Sequence, residues 1–513
     1  MRSRTTLLCG TMFTVLLVLQ VTPGVMGAAG GGPVCEPGGR AAGAPGVGDP
    51  YYPLYGNGGY DVRHYDLSVR YDPGTDRLKG VAIITAVATQ RLACFNLDLV
   101  GLTVREVAVD GRVAAWSRTD HELTVIPRHA VNDGGRFRVV VRYGGSPLMF
   151  TDPLAGLAYG FTDTDDGALV VGEPEVAASW FPVNDHPVDR ARYTFRITVP
   201  DGYDVVANGL PRRITSRGRW TTHVWRAKDP MISYLATFDV GEWDIRTSET
   251  TSGLPVIDAV DPDLGTLADA SLARQPEIVS FLEDNFGPYP FETVGAIVDD
   301  SKDLWFALET QTRPIYPRYA FKHRWGDYFL VHELAHQWYG DLVALGRWRD
   351  IWLNEGFATY AEWLWTEHED VGTPQEILGA IYAEIPADDP FWEVAIGDPG
   401  PLYLFHEATY IRGGMTLQAL RNEVGDAAFW EILRAWADEH AFGTGTTPEL
   451  VELAERVSGL DLDGLFETWL FTPEKPPASA VAASASRAEP PSPRVARWAR
   501  AWRELVERRV ATG

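Results

Sequence analysis

The segment His332-Glu333-Leu334-Ala335-His336, followed after eighteen intervening residues by Glu355, constrains this 513-residue chain more than any other feature. In a helix, positions i and i+4 lie one turn apart on the same face, so the two imidazoles can converge on one metal ion. Glu333 is rotated by about 100° around the helix, so it can lie beside the ion and accept a proton from water instead of ligating.

Two histidines and one glutamate leave a fourth position on the metal open, which is typical of catalytic zinc sites, and zinc lowers the pKa of bound water to roughly 7. The spacing therefore predicts one catalytic Zn²⁺ per chain, bound by His332, His336 and Glu355. The alternative is an amphipathic core helix whose histidines are satisfied by hydrogen bonds. Apolar residues on both sides of the motif, from Tyr328 to Val331 and at Trp338 and Tyr339, predict a buried helix in either case.

These residues resemble the M1 aminopeptidases of the gluzincin clan, which carry H-E-x-x-H, eighteen residues, and then Glu within an N-E-G-F-A-type segment. Here that segment is Asn354-Glu355-Gly356-Phe357-Ala358. The resemblance covers roughly residues 59 to 475 and is to the aminopeptidase N-like members of the family. Recognisable domain sequence ends near Pro476, so the resemblance implies a short, two-domain form of the family; that this form is secreted is expected from the amino-terminal segment.

Two further segments carry the same resemblance. Ala307-Leu308-Glu309-Thr310-Gln311 is similar to the family's Gly-x-Met-Glu-Asn-type strand, which implies that Glu309 binds the free amine of the substrate. Ala307 and Thr310 replace the usual Gly and Asn, so Ala307 is expected to change the wall of the pocket for the first side chain. A solvent-facing carboxylate at the end of a strand is the alternative for Glu309.

Tyr410-Ile411-Arg412-Gly413-Gly414 is similar to the family's Tyr-x-Lys-Gly segment, which implies that the hydroxyl of Tyr410 steadies the oxyanion. Tyr403 is a rival seven residues earlier, and a tyrosine on a helix can also serve only packing. Glu173-Pro174-Glu175 is a weaker match, in which Glu173 would be a second ligand of the amine. A solvated loop carboxylate is the alternative for Glu173.

The resemblance implies a zinc-dependent aminopeptidase that removes the N-terminal residue of peptides, with Glu333 as the general base and Tyr410 as the oxyanion stabiliser. The residue types suit this chemistry, because an α-amine titrates near 7.7 to 8.0 and is mostly cationic at neutral pH. Carboxylates beside the metal would bind the amine and place only the first peptide carbonyl at the ion. An endopeptidase, and a catalytically silent peptide-binding protein, remain the alternatives.

The predicted fold class is α+β and multidomain: a β-sheet domain over residues 59–245, a saddle-like sheet or a sandwich, precedes a mainly α domain over residues 246–475. The resemblance implies that the first domain is saddle-like and that the second is thermolysin-like. Residues such as Tyr65, Leu67, Val69 and Tyr71 alternate with period two in the first domain, whereas helical patterns dominate from Tyr328 to Phe471. A small sheet is expected near Val294 to Leu308.

The two ends of the chain have different compositions. Residues 1–28 have the layout of a secretory signal peptide, and residues 29–58 are rich in Gly and Pro and are predicted to be a flexible leader. The protein is therefore expected to be secreted, with an uncleaved N-terminal anchor as the alternative. Residues 476–513 comprise a Pro/Ala/Ser linker and an Arg-rich tail, which could bind an anionic surface, dock as an amphipathic helix or stay solvated.

Charge and cysteine content limit the partners. A net charge of -25 argues against a nucleic-acid partner, because phosphate binding requires a basic surface. Peptides with a free N-terminus are the expected partners, no stable membrane span is predicted, and the oligomeric state is left open. Removal of the signal would leave Cys35 and Cys94, and whether they form a disulfide is also open.

Overall fold

The computed structural model describes residues 41–511 except residues 120, 153, 155, 323–324 and 482–491. The predicted signal peptide, residues 29–40 of the predicted leader and Cys35 lie outside the described residues. Cys94 is disulfide-bonded. Every helix in the described part of the chain is too short or too polar to span a bilayer.

Strands dominate the first region of the chain, from Tyr60 to Gly241. They are β1 (Tyr60–Asp72), β2 (Arg77–Ala88), β3 (Phe95–Asp98), β4 (Thr103–Val109), β5 (Arg112–Val113), β6 (Ala115–Arg118), β7 (Glu122–Ile126), β8 (Arg136–Gly145), β9 (Met149–Thr151), β10 (Ala158–Asp163), β11 (Ala168–Val171), β12 (Arg190–Pro200), β13 (Asp204–Ala207), β14 (Leu210–Arg217), β15 (Trp220–Ile232) and β16 (Phe238–Gly241). This confirms the predicted β region.

An eight-stranded sheet in the order β14-β15-β12-β1-β2-β8-β4-β5 is the largest layer of this region. The period-two pattern explains its core face, because Tyr65, Leu67, Val69 and Tyr71 of β1 are all buried. In the parallel pairing of β1 with β12, Leu67 lies opposite Phe195.

Two smaller sheets complete the first region, in the orders β13-β16-β11-β10-β9 and β3-β7-β6. The fully buried Trp180 packs between sheets: its ring lies 5.1 Å from Phe238 of β16 and 6.4 Å from Phe195 of β12. The sheets therefore share one apolar core.

The second region begins with a four-stranded sheet of β17 (Asp244–Glu249), β18 (Pro255–Val260), β19 (Val294–Asp299) and β20 (Ile315–Pro317). The predicted boundary at residue 245 falls inside β17, which pairs with β18 and so belongs to the second region. The small sheet expected near Val294 to Leu308 is present, although within that range β19 ends at Asp299 and Leu308 makes only an isolated bridge to Ile315. A short pair, β21 (Ala344–Leu345) and β22 (Thr444–Gly445), lies farther along.

Helices make up most of the second region, as the sequence predicts. They are α1 (Asp269–Leu272), α2 (Gln275–Phe286), α3 (Gly326–Ala335), α4 (Trp352–His368), α5 (Pro374–Glu384), α6 (Glu407–Val424), α7 (Asp426–Glu439), α8 (Thr447–Ser458), α9 (Asp463–Phe466) and α10 (Pro493–Ala511). α3 is buried along its length, and α4 is buried as far as Thr366, which is consistent with their apolar sequences.

Residues 41–58 of the predicted leader make specific contacts with the second region, which their composition did not predict; the expected flexibility stays a prediction. Asp49 accepts hydrogen bonds from the backbone N–H of Trp348, at 2.9 Å, and of Tyr51, at 2.8 Å. The hydroxyl of Tyr51 hydrogen-bonds to Asp398 and accepts from the N–H of Gly400. These few polar and aromatic side chains hold the segment on the second region, although its Gly and Pro content is typical of a linker.

The Arg-rich tail forms helix α10, which docks on its own chain. Val495, Trp498, Trp502 and Val506 recur on one face and are buried, while Arg497 and Arg500 between them are exposed. Of the alternatives for the tail, the docked amphipathic helix is the one that the structure shows.

Candidate metal centre

Two neighbouring helices bring the predicted metal ligands together. His332 lies in the last turn of α3, His336 caps the end of that helix, and Glu355 lies in the first turn of α4. The Nε2 atoms of His332 and His336 lie 3.2 Å and 3.5 Å from the same carboxylate oxygen of Glu355, Oε2. The ligand atoms of all three residues lie within 4.8 Å of one another, and all three side chains are buried.

The outer nitrogens of both rings are fixed by acceptors. His336 Nδ1 lies 3.0 Å from the carbonyl oxygen of Tyr339, and His332 Nδ1 lies 2.8 Å from Glu362 Oε1. Since a carbonyl oxygen can only accept, Nδ1 of His336 carries a proton, and a neutral ring then presents the lone pair of Nε2.

This tautomer gives a test of whether the site suits a cation. In this neutral tautomer the lone pair of His336 Nε2 would face Glu355 Oε2, which is also an acceptor, so a proton or a metal ion must lie between these two buried groups. A divalent ion would satisfy both of them together with His332. The donor set of two imidazoles and a carboxylate therefore fits a metal ion with an open coordination position.

The electrostatics of the centre also favour positive charge. Burial alone would lower the pKa of His332, but its hydrogen bonds with Glu355 and Glu362 raise that pKa above its usual value. Burial would raise the pKa of Glu355, but the two histidines lower it to about 2. The carboxylate of Glu355 is thus held in its charged form.

Glu333 lies beside the metal ligands, as its helical position predicts. Its carboxylate, that of Glu309 and a ring nitrogen of His336 lie within 4.8 Å of one another. Glu333 therefore borders the centre from the side occupied by Glu309.

Glu309 is not a solvent-facing residue at a strand end, because it is only 3% exposed. The hydroxyl of Tyr234 donates to Glu309 Oε1 at 2.6 Å, and Gln337 Nε2 donates to the backbone oxygen of Glu309 at 2.9 Å. The first contact holds the carboxylate next to the centre, and the second holds the backbone that carries it. Sequence reasoning did not identify Tyr234.

Glu173 reaches the same place from the first region of the chain. Its Oε1 is buried and has no hydrogen-bond partner among the described residues. Burial, together with the charges of Glu309 and Glu355, raises the pKa of Glu173 well above its usual value. A cation such as an ammonium group would offset this crowding of carboxylates.

Tyr410 lies in the first turn of α6, with its ring 6.0 Å from that of His332. A close approach of two helices places it there: a Cβ on Gly413 would lie 2.6 Å from the Cα of Gly356, one residue after Glu355. Only glycine allows this contact. Tyr403, the rival, is 46% exposed.

The site opens into a cavity of about 590 Å³. Aromatic and apolar side chains form much of its wall, and Ala307 is among them, as predicted. The residues identified above that line it are Glu173, Ala307, Glu309, His332, Glu333, His336, Glu355 and Tyr410. The sequence reasoning missed the remaining wall residues, which include Tyr52, Glu175, Trp305, Phe306 and Phe405.

Glu362 was also missed, although a signal was present. It follows Glu355 by seven residues on α4, which is two helical turns, so both carboxylates lie on the face toward His332. A search for acidic residues on the ligand face of the helix would have found it.

Comparison with known proteins agrees with this geometry. The family model "Peptidase M1 N-terminal domain" matches residues 62–235, and "Peptidase family M1 domain" matches residues 321–469. Aminopeptidase N of Lactobacillus helveticus is 24% identical over 83% of this chain and 52% of its own length. Glutamyl aminopeptidase of Sus scrofa is 25% identical over 58% of this chain and 34% of its own. The chain thus spans about half of the length, or less, of these curated relatives.

Solved structures match this chain over a larger share of their own length than the curated relatives do. An M1 zinc metallopeptidase from Deinococcus radiodurans has a TM-score of 0.79 and 29% identity, covering 86% of this chain and 100% of the other. A mutant of the same enzyme bound to a Tyr-Ser-Ala substrate has a TM-score of 0.77 and 29% identity, covering 84% and 99%. The two family models together match more than half of the residues, and with the predicted ligands converging at one centre, this chain belongs to peptidase family M1.

Proposed function

We propose that this protein is a zinc-dependent aminopeptidase. The observation that carries the proposal is the combination of three converging metal ligands with two further carboxylates, Glu309 and Glu173, in the wall of one cavity. The metal ligands form the hydrolytic centre. The two further carboxylates would bind a cationic α-amine and so direct hydrolysis to a free N-terminus.

His332, His336 and Glu355 would hold the ion, which supplies Lewis-acid polarisation of the substrate carbonyl and activation of water. Glu333, beside the ligands, accepts a proton from the attacking water and later returns it to the leaving amine. The hydroxyl of Tyr410 donates a hydrogen bond to the oxygen of the scissile carbonyl as negative charge develops there.

The carboxylates of Glu309 and Glu173 bind the cationic α-amine. Glu309 is held by Tyr234, and Glu173 Oε1 has no other partner among the described residues, so both are available to an ammonium group. Binding the amine fixes the register of the peptide and places the first carbonyl at the centre.

The test compares an aminoacyl 4-nitroanilide that has a free amine with its N-acetylated form. We expect only the free amine to be hydrolysed by the wild-type protein. Equal hydrolysis of both would contradict the assignment of Glu309 and Glu173 and would favour an endopeptidase. Activity that persists after removal of the metal by a chelator would contradict the proposed metal dependence, and no activity with zinc restored would favour a silent binding protein.

We further propose that residues 1–28 direct export of the chain and are then removed, so that the enzyme acts on extracellular peptides. The charged n-region, apolar run and small residues of this segment support the proposal. Amino-terminal sequencing of the protein recovered from the culture medium tests it, and a start at Met1 would contradict it.

A further inference from the structure

Helix α10 brings two tryptophans to the back of the metal centre. Trp498 and Trp502 lie one turn apart with their rings stacked at 5.7 Å, and both are buried. Trp498 donates its indole N–H to the hydroxyl of Tyr328 on α3, at 3.2 Å. The ring of Trp502 packs at 5.8 Å from that of Trp363 on α4.

The indole N–H of Trp502 donates to Glu362 Oε2 at 2.6 Å. The other oxygen of the same carboxylate, Oε1, lies 2.8 Å from Nδ1 of the metal ligand His332. Both Trp502 and Glu362 are fully buried. A continuous chain of hydrogen bonds therefore runs from the C-terminal helix to the metal centre.

The hydrogen bond between Trp502 and Glu362 supports the one between Glu362 and His332. A buried carboxylate requires donors on both oxygens, and an oxygen without one is costly. The Trp502 bond satisfies Oε2 and fixes the plane of the Glu362 carboxylate, so that Oε1 is aimed at His332 Nδ1. Nε2 of His332 is then held toward Glu355, in the orientation that a metal ion needs.

We propose that Trp502 is a positioning residue of the metal centre, acting on His332 through Glu362. The Arg-rich tail is then part of the metal site, and α10 does more than cover an apolar surface. The proposal rests on the metal centre of the proposed function and is independent of the substrate.

The test measures zinc affinity of the full chain in competition with a chromophoric chelator, without any peptide. Trp502→Phe keeps a large ring and removes the N–H, and we expect it to weaken zinc binding by roughly 10- to 100-fold, the range for outer partners of metal ligands. Trp498→Phe is the matched control. It also removes an indole N–H, one helical turn away, but that N–H donates to Tyr328 and not to Glu362. Zinc affinity should change by less than about twofold.

A double-mutant cycle separates positioning from general packing. Because Trp502 acts through Glu362, adding Trp502→Phe to Glu362→Gln should weaken zinc binding by less than about threefold further. Equal effects of the two tryptophan variants, or independent effects of Trp502→Phe and Glu362→Gln, would overturn the proposal. The thermal midpoints of the metal-free variants report packing separately.

If Trp502→Phe does not fold, Trp502→3-benzothienylalanine replaces it, because that side chain keeps the shape of tryptophan and lacks only the N–H. The same loss of zinc affinity is expected, and an unchanged affinity would overturn the proposal. A wild-type protein that binds zinc but cleaves no aminoacyl substrate would overturn the proposed function alone, since the zinc measurement does not depend on cleavage.

Discussion

Tyr234→Phe tests whether Glu309 must be held in place to bind the substrate amine. The change removes one hydroxyl, which donates to Glu309 Oε1 at 2.6 Å in a fully buried position. A hydrogen bond to a charged group contributes about 1.5–3 kcal/mol, and each 1.4 kcal/mol corresponds to tenfold. We therefore expect kcat/KM for a free-amine aminoacyl 4-nitroanilide to fall roughly 10- to 100-fold.

The loss should appear mainly in KM, because the amine is bound in the ground state as well as in the transition state. Tyr71→Phe is a matched control, since the hydroxyl of Tyr71 also donates to a carboxylate, that of Asp163, at 2.8 Å within the β region. A decrease of less than about threefold for Tyr234→Phe, or equal decreases for both variants, would refute the reasoning.

Three further perturbations have defined outcomes. Glu333→Gln should keep zinc, measured by elemental analysis, and lose roughly 10²- to 10⁴-fold in kcat, because only the base is removed; a normal rate would refute its role. Tyr410→Phe should lower kcat by roughly 10²- to 10³-fold with little change in KM, since the oxyanion exists only after attack; a change confined to KM would contradict this. Burial would raise the pKa of Asp49, but hydrogen bonds from His186 and the backbone lower it to about 2. Its contribution of about 2 kcal/mol is therefore present above pH 4 and lost as the pH falls toward 2. Urea unfolding of the metal-free protein should show this loss for the wild type but not for Asp49→Asn, and parallel pH profiles would contradict it.

The metal ligands could be predicted from the sequence because their geometry is mostly local. The spacing of His332 and His336 follows from one helical turn, and Glu355 needs only the hairpin between α3 and α4. The alternating strands were predictable for the same reason, since period two is a property of each strand taken alone.

Contacts between distant segments could not be predicted in this way. Trp502 lies 140 positions from Glu362, and Tyr234 lies 75 positions from Glu309. No periodicity links such pairs, because they meet only after the sheets and helices have packed. The contacts of residues 41–58 were missed for a related reason: their composition is that of a linker, and the hydrogen bond between Asp49 and Trp348 forms only in the folded structure.

The path of residues 41–58 limits how far the protein can be shortened from its amino end. Tyr52 forms part of the cavity wall, and its neighbour Tyr51 is tied to the loop at Asp398 and Gly400. A truncation that ends before Asp49 leaves these contacts in place. A truncation that extends past Tyr52 removes part of the cavity wall. Recombinant forms intended for crystallisation or assay should therefore begin upstream of Asp49.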